Sequence, residues 1–278
     1  MMKSIIFALE NKFFIKSSMK ITILGAGNIG SALVTGLLRE GSTAPGDISL
    51  TDISQEALIP FAAKGLRTMQ DNTEAVKNAD MVVLCVKPYL IHEVIKEIIP
   101  SLSKNTLLVS VAAGITLDQL TLFAGKKPLF RAIPNTAMTV CQSMTCIATS
   151  DNTDAAQQST IFNFFSLVGK AMMIDESLMN AATVLASCGT AFALRYLRAA
   201  MTAGVETGFR PAVAEAMIAQ TMLGATMLVA ESGNHPEQEI DKVTTPKGIT
   251  IKGLNEMERA GFSPAVMQGI RAAYEALN

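Results

Sequence analysis

The chain has 278 residues, 49% of them hydrophobic, and balances 23 Lys and Arg against 24 Asp and Glu for a formal charge of −1. That length and apolar content fit a globular protein of one large or two ordinary domains and exclude a disordered chain. Balanced charge without a block of one sign also excludes the electrostatic footprint of a nucleic-acid binder.

In chain order, "MMKSIIFALENKFFIKSS" opens with a short apolar stretch that Glu10 and Lys12 interrupt. It is too short for the apolar region of a signal peptide. Residues 1–18 therefore read as an upstream extension, with the fold expected to begin at Met19. From there to Ile174, "KITILGAG", "DISLTD", "DMVVLCVKP", "NTLLVSVAAG", "PLFRAIPN", "SMTCIAT" and "KAMMID" read as strands separated by helical patterns. Apolar runs of this kind belong to a mainly parallel sheet covered on both faces. Residues 19–174 are thus predicted to form a doubly wound α/β domain.

After Asp175 the strand signals stop, and residues 175–278 read as an all-helical C-terminal domain. "FSPAVMQGIRAAYEALN" predicts a helix with Ser263 as N-cap and Pro264 at its first position. Two apolar stretches, Ala181–Leu194 and Ala212–Ala230, read as buried helices rather than membrane spans. The first is expected to end at Arg195 and Arg198, short of the roughly 20 residues a bilayer needs. The second carries Glu215 and Gln220.

Chemistry concentrates where strands end. Gly25, Gly27 and Gly30 stand in G-x-G-x-x-G spacing between the first strand and an amphipathic helix. Gly25 suits a tight turn, Gly27 lets a pyrophosphate approach the backbone, and Gly30 lets helix pack on strand. This is the context a dinucleotide site requires, and a Rossmann-like domain follows from it. Asp52, at the end of the second strand, suits an adenosine ribose. With no Lys or Arg immediately after it, its charge disfavours a 2′-phosphate, so NADH is weakly favoured over NADPH. Lys87 and Pro88 end another strand, and Ala112, Ala113 and Gly114 leave room for a flat ring beyond a third. Asn135, in "RAIPNTA", is expected to orient a neighbouring loop.

Cys85, Cys141, Cys146 and Cys188 all lie in apolar runs without zinc spacing, so they read as reduced core residues in a cytoplasmic protein with no metal. His92 and His235 have no catalytic or metal-binding neighbours in the sequence and read as structural. A reaction that needs a histidine base is disfavoured, and chemistry with little proton transfer is favoured.

The order of "GAGNIG", "VKP", "VSVAAGI", "IPNT", "AGVETGF", "ESGNHP" and "GFSPAVM", with the loop Val243-Thr244-Thr245-Pro246-Lys247-Gly248-Ile249-Thr250, resembles the pyrroline-5-carboxylate reductase family from about Met19 to Ala276. The resemblance implies reduction of the ring imine of 1-pyrroline-5-carboxylate to L-proline by NAD(P)H, in a homodimer or an assembly of dimers. It implies that Thr250 hydrogen-bonds the ring nitrogen and that Thr245, Lys247 and Gly248 hold the substrate carboxylate. The expected cofactor set is Gly25, Ala26, Gly27, Asn28, Ile29, Gly30, Asp52, Asn72, Val86, Lys87, Pro88, Ala112, Ala113 and Gly114. Lys247 departs from the family's first glycine, "SCGTAF" (Ser187 to Phe192) stands where Gly-Ser-Gly-Pro is usual, and Arg198 stands where many relatives carry an acid. A β-hydroxyacid dehydrogenase is the nearest enzyme alternative, but no lysine lies between Ser177 and Leu194 to serve it. A dinucleotide-sensing protein without catalysis is the other.

Overall fold

A computed structural model describes residues 19–277; the extension read at residues 1–18 and Asn278 lie outside the described residues. The chain divides by contacts into two units, Met1–Ser187 and Cys188–Asn278. The sheet of the first unit contains β1 (Ile21–Leu24), β2 (Ile48–Thr51), β3 (Arg67–Met69), β4 (Met81–Leu84), β5 (Leu107–Ser110), β6 (Leu129–Ile133), β7 (Ser143–Thr149) and β8 (Gly169–Met173). Their order is β3-β2-β1-β4-β5-β6-β7-β8. All neighbours run parallel except β6 and β7. The seven expected strands are present. The one not anticipated, β3, is a three-residue strand with the sequence Arg-Thr-Met, too short and too polar to show a period.

The central strands β1, β4, β5 and β6 are buried at every residue, which is why they read as unbroken apolar runs. Helices α1 (Asn28–Glu40) and α2 (Gln55–Ala62) belong to the first unit, as do α3 (Asn72–Ala75), α4 (Ile91–Ile98), α5 (Leu117–Ala124), α6 (Ala155–Ser166) and α7 (Met179–Ala182). Two cores result. Leu33, Val34 and Leu37 of α1 join Phe164 and Phe165 of α6 against Ile21, Ile23 and Phe130. Ile91 and Ile95 of α4 join Leu120 of α5 against Leu24, Val82, Leu84 and Leu108. Helices therefore cover both faces of the sheet, as a doubly wound fold demands.

The contact boundary falls after Ser187, whereas the sequence placed it near residue 175. The intervening segment packs with the sheet: Met179 is fully buried, and Asn135 Nδ2 donates to Ala186 O at 2.9 Å. Thr183–Cys188 is π-helical.

Among the described residues the second unit contains helices and no strand: α8 (Gly189–Glu206), α9 (Pro211–Ser232), α10 (Pro236–Lys242), α11 (Ile249–Arg259) and α12 (Phe262–Glu275). Helices α8 and α9 pack against each other at Gly204, where an added Cβ would lie 3.0 Å from that of Ala214. Three expectations need correction here. The apolar helices are not buried within the chain: among the described residues from Cys188 onward Ala214 alone is buried, while Leu194, Met217, Leu223 and Leu228 are more than half or about half exposed. The first apolar helix does not end at Arg195. The helical runs Glu176–Glu206 and Pro211–Ser232 are in fact long and apolar enough to cross a membrane by length and composition. Arg195 and Arg198 inside the first would each cost about 2.5–3.5 kcal/mol at a bilayer centre. Finally, Gly261 at φ 85° is the N-cap of α12, not Ser263, so Pro264 comes third in the helix. The Ser263 hydroxyl donates instead to Glu258 at 2.7 Å.

Candidate functional site

Because β1, β2, β4 and β5 are parallel, the loops that follow them share one edge of the sheet. The loop after β1 is held tightly. Gly25 adopts φ +103°, and a Cβ there would sit 2.8 Å from Cys85 O. A Cβ on Gly30 would sit 1.9 Å from Gly25 O, so helix and turn approach only because both residues are glycine. Gly27 is different: a Cβ there meets nothing within 4 Å. It is the N-cap of α1 and makes no side-chain cap. The first amides of α1, from Asn28 to Gly30, therefore face outward with no intrahelical acceptor, beside the positive end of the helix dipole. These residues fit the diphosphate of a dinucleotide.

Asp52 follows β2. Its Oδ2 accepts the Ala26 amide at 2.8 Å, and its Oδ1 accepts the Ser54 amide at 2.9 Å. Ser31 Oγ donates to Ala26 O at 2.6 Å. Sequence reasoning missed Ser31, although its place directly after Gly30 was a usable signal. Asn72 is also engaged by the protein: its Oδ1 accepts from Thr51 Oγ1 at 2.7 Å, and its Nδ2 donates to Glu97 at 3.1 Å.

Val86, Lys87 and Pro88 follow β4 directly, and Lys87 is exposed. Beyond β5, Ala112 is buried, Ala113 half-buried and Gly114 exposed at φ +79°. An open cleft of about 280 Å³ lies alongside α1, lined by Asn28, Ser31, Ala32, Thr35, Thr136 and Thr139. Its far wall is positioned by Asn135, whose Oδ1 accepts the Ala137 amide at 2.9 Å while its Nδ2 reaches Ala186 O. Asn135 thus orients a loop, as expected. A buried pair was not anticipated: Arg131, 3% exposed, donates to Glu176 Oε1 at 2.6 Å, and the same oxygen accepts the Leu117 amide at 2.6 Å. The sequence signal was an arginine inside an apolar strand.

Neither histidine takes part in such a group. His92 packs its ring on Phe123, with centroids 4.6 Å apart. His235 caps α10, accepting the Glu237 amide at Nδ1. The four cysteines are free; Cys146 is buried, and Cys85, Cys141 and Cys188 are partly buried. Burial pushes the Cys85 thiol up to about 12, so it stays protonated beneath the glycine loop and offers no nucleophile.

The threonine loop lies in the second unit. Gly248 N–H donates to Thr245 O at 2.9 Å, closing a turn with Pro246 and Lys247 at its centre. Lys247 has φ +62°, the left-handed region that suits glycine. A Cβ on Gly248 would lie 2.5 Å from Thr245 Oγ1 and 3.0 Å from Thr245 O, so a larger residue there would displace the Thr245 side chain. Gly248 is the N-cap of α11 and provides no side-chain cap. Thr250 is the second residue of that helix, is exposed, and makes no side-chain hydrogen bond among the described residues.

A glycine turn feeding a helix at the carboxyl edge of a mainly parallel sheet, followed by a helical unit, defines a dinucleotide-dependent oxidoreductase of the Rossmann class. Residues 20–114 match a family described as NADP oxidoreductase coenzyme F420-dependent, and residues 176–278 match pyrroline-5-carboxylate reductase dimerisation. The chain is 37% identical over 262 residues to pyrroline-5-carboxylate reductase 1 of Dictyostelium discoideum, covering 90% of this chain and 48% of the relative, about half its length. It is 35% identical over 272 residues to pyrroline-5-carboxylate reductase 2 of the same organism, covering 92% of this chain and 91% of that one. The crystal structure of Plasmodium falciparum pyrroline carboxylate reductase with NADP bound superposes with a TM-score of 0.86 at 26% identity, covering 94% of this chain and 97% of that one. The chain belongs to the pyrroline-5-carboxylate reductase family.

Proposed function

We propose that this chain reduces the ring imine of 1-pyrroline-5-carboxylate to L-proline, the last step of proline biosynthesis. The observation that carries this reading is the family match, which extends through both units and includes the threonine loop. NAD(P)H supplies the hydride. Once the imine is protonated, its carbon accepts hydride without a base, and the nitrogen keeps its proton in the product amine. Such a site needs position and hydrogen bonds more than a catalytic acid. The structural roles of His92 and His235 agree with that demand.

In this reading the dinucleotide-binding part spans residues 19–174, and residues 175–278 form the dimerisation and substrate part. Thr250 hydrogen-bonds the ring nitrogen, supported by its uncommitted hydroxyl at the start of α11. Thr245, Lys247 and Gly248 hold the carboxylate, with the exposed Lys247 ammonium adding an attractive charge. The coenzyme binds along the glycine loop and the ends of β2, β4 and β5. The negative charge of Asp52 weakly favours NADH over NADPH. The exposed apolar faces of α8 and α9 are covered by a second copy in a cytoplasmic homodimer.

The test is oxidation of NADH and NADPH, measured side by side with pyrroline-5-carboxylate. Turnover with formation of proline is expected, and faster turnover per unit coenzyme with NADH. Coenzyme binding without turnover of this substrate would overturn the enzymatic reading in favour of a dinucleotide sensor. A tenfold or greater preference for NADPH would overturn the role given to the Asp52 charge.

A further inference from the structure

The glycine loop is fixed by its neighbours before any ligand is considered. Gly25 N–H donates to Thr51 O at 2.8 Å, tying the turn to the end of β2. The next peptide is gripped at both ends: Ala26 N–H by Asp52 Oδ2 at 2.8 Å, and Ala26 C=O by Ser31 Oγ at 2.6 Å. Asp52 is itself oriented, because its other oxygen accepts Ser54 N–H at 2.9 Å where α2 begins. One carboxylate therefore joins the loop after β1 to the turn after β2.

This geometry changes what Ala26 can do. Its amide is spent on Asp52, so the amides left for a diphosphate begin at Gly27. It also adds to what Asp52 can do. A side chain that only met the ribose would act on the adenosine end alone; one that also anchors Ala26 sets the direction in which the first turn of α1 presents its N–H groups.

We infer that Asp52 is a positioning residue for the diphosphate-binding turn, so that losing it weakens NADH and NADPH together and by more than it changes their ratio. The inference rests on the proposed coenzyme site and deepens it. A hydrogen bond from an amide to a charged acceptor is among the stronger ones in proteins, and its loss leaves the amide of a buried residue unpaired.

The test uses full-length protein with Asp52→Ala, which removes both accepted bonds, and Asp52→Asn, whose side-chain oxygen can keep one. Amide hydrogen exchange across Gly25–Gly30 is followed without coenzyme, and NADH and NADPH are each titrated to obtain Kd. Asp52→Ala should exchange about tenfold faster in this loop and bind both coenzymes about tenfold more weakly, with their ratio moving less than threefold. Asp52→Asn should fall between it and wild type, and it carries the comparison alone should Asp52→Ala fail to fold. The KM for each coenzyme should rise about tenfold while kcat falls by less, a split that general destabilisation would not give. Unchanged loop exchange in both variants, with normal wild-type turnover, would overturn this inference and leave the proposed function standing. So would tighter NADPH binding with weaker NADH binding. A wild-type protein that bound neither coenzyme would defeat the proposed coenzyme site and this inference with it.

Discussion

The two units use similar apolar material to opposite ends. In the sheet unit, Phe130, Phe164 and Phe165 are fully buried by strands and helices of the same chain. In the helical unit, Leu194, Leu223 and Leu228 remain 59%, 52% and 54% exposed. The difference is one of geometry. A sheet offers two broad faces that α1, α4, α5 and α6 can cover, whereas α8 and α9 are apolar around much of their circumference and the remaining helices are too few and short to enclose them. The buried apolar residues of the first unit report on folding, and the exposed ones of the second call for a partner surface, which the proposed homodimer would supply.

A pair of exposed leucines tests this most severely. Leu223→Lys on α9 should put an unpaired charge into the surface that a second copy covers in the proposed homodimer. An uncompensated buried charge costs about 3–5 kcal/mol, which corresponds to a roughly hundredfold or greater weakening of association. Sedimentation should show a shift toward monomer, with activity falling in step. Leu122→Lys in the sheet unit, at a residue 81% exposed, should change stability by less than about 0.5 kcal/mol and leave assembly intact. Equal behaviour of the two variants would erase the contrast between the units.

The next effect in size concerns whether the helical unit also carries chemistry. Thr250→Val keeps the shape and removes the hydroxyl. Loss of one bond made mainly in the transition state should lower kcat about tenfold, or about 1.4 kcal/mol. Gly248, not Thr250, is the N-cap of α11, so the melting temperature should hardly move. A lowered melting temperature with kcat within twofold of wild type would reduce Thr250 to a structural residue.

The smallest effect sharpens the comparison within the loop itself. Lys247 occupies a left-handed conformation that costs an L-residue about 1–2 kcal/mol, part of which glycine gives back through its freer unfolded chain. Lys247→Gly should therefore raise stability by about 0.5–1 kcal/mol, read as a melting temperature about 2 °C higher. If the ammonium helps to hold the substrate carboxylate, KM for the imine should rise in the same variant. Higher stability with unchanged KM would leave Lys247 a strained residue with no part in binding.

Legibility followed the same division. The strands of the sheet unit could be read because burial on both faces leaves an unbroken apolar run, and β3 escaped because three residues cannot display a pattern. The glycine spacing located the candidate site, since steric need for glycine is local and Gly25 and Gly30 face backbone at under 3 Å. The grip of Asp52 on Ala26 was not legible: it joins residues 26 positions apart, and only the register of β1 beside β2 brings them together. In the helical unit, apolarity was read correctly and burial was not, because apolar residues are a demand for a partner surface and the sequence does not say whose surface answers it. The mistaken cap at Ser263 arose from a local competitor, the left-handed Gly261, which starts the helix earlier.

The place of β1 inside the sheet, between β2 and β4, also orders events in time. It is the first strand among the described residues, yet it pairs with β2 on one side and with β4, about 60 residues later, on the other. At synthesis rates of about 5–20 residues per second, Ile21–Leu24 waits about 3–12 s for Met81–Leu84 to be made. During that interval one edge of a fully buried strand has no partner, and its unpaired N–H and C=O groups are open to mispairing until β4 arrives.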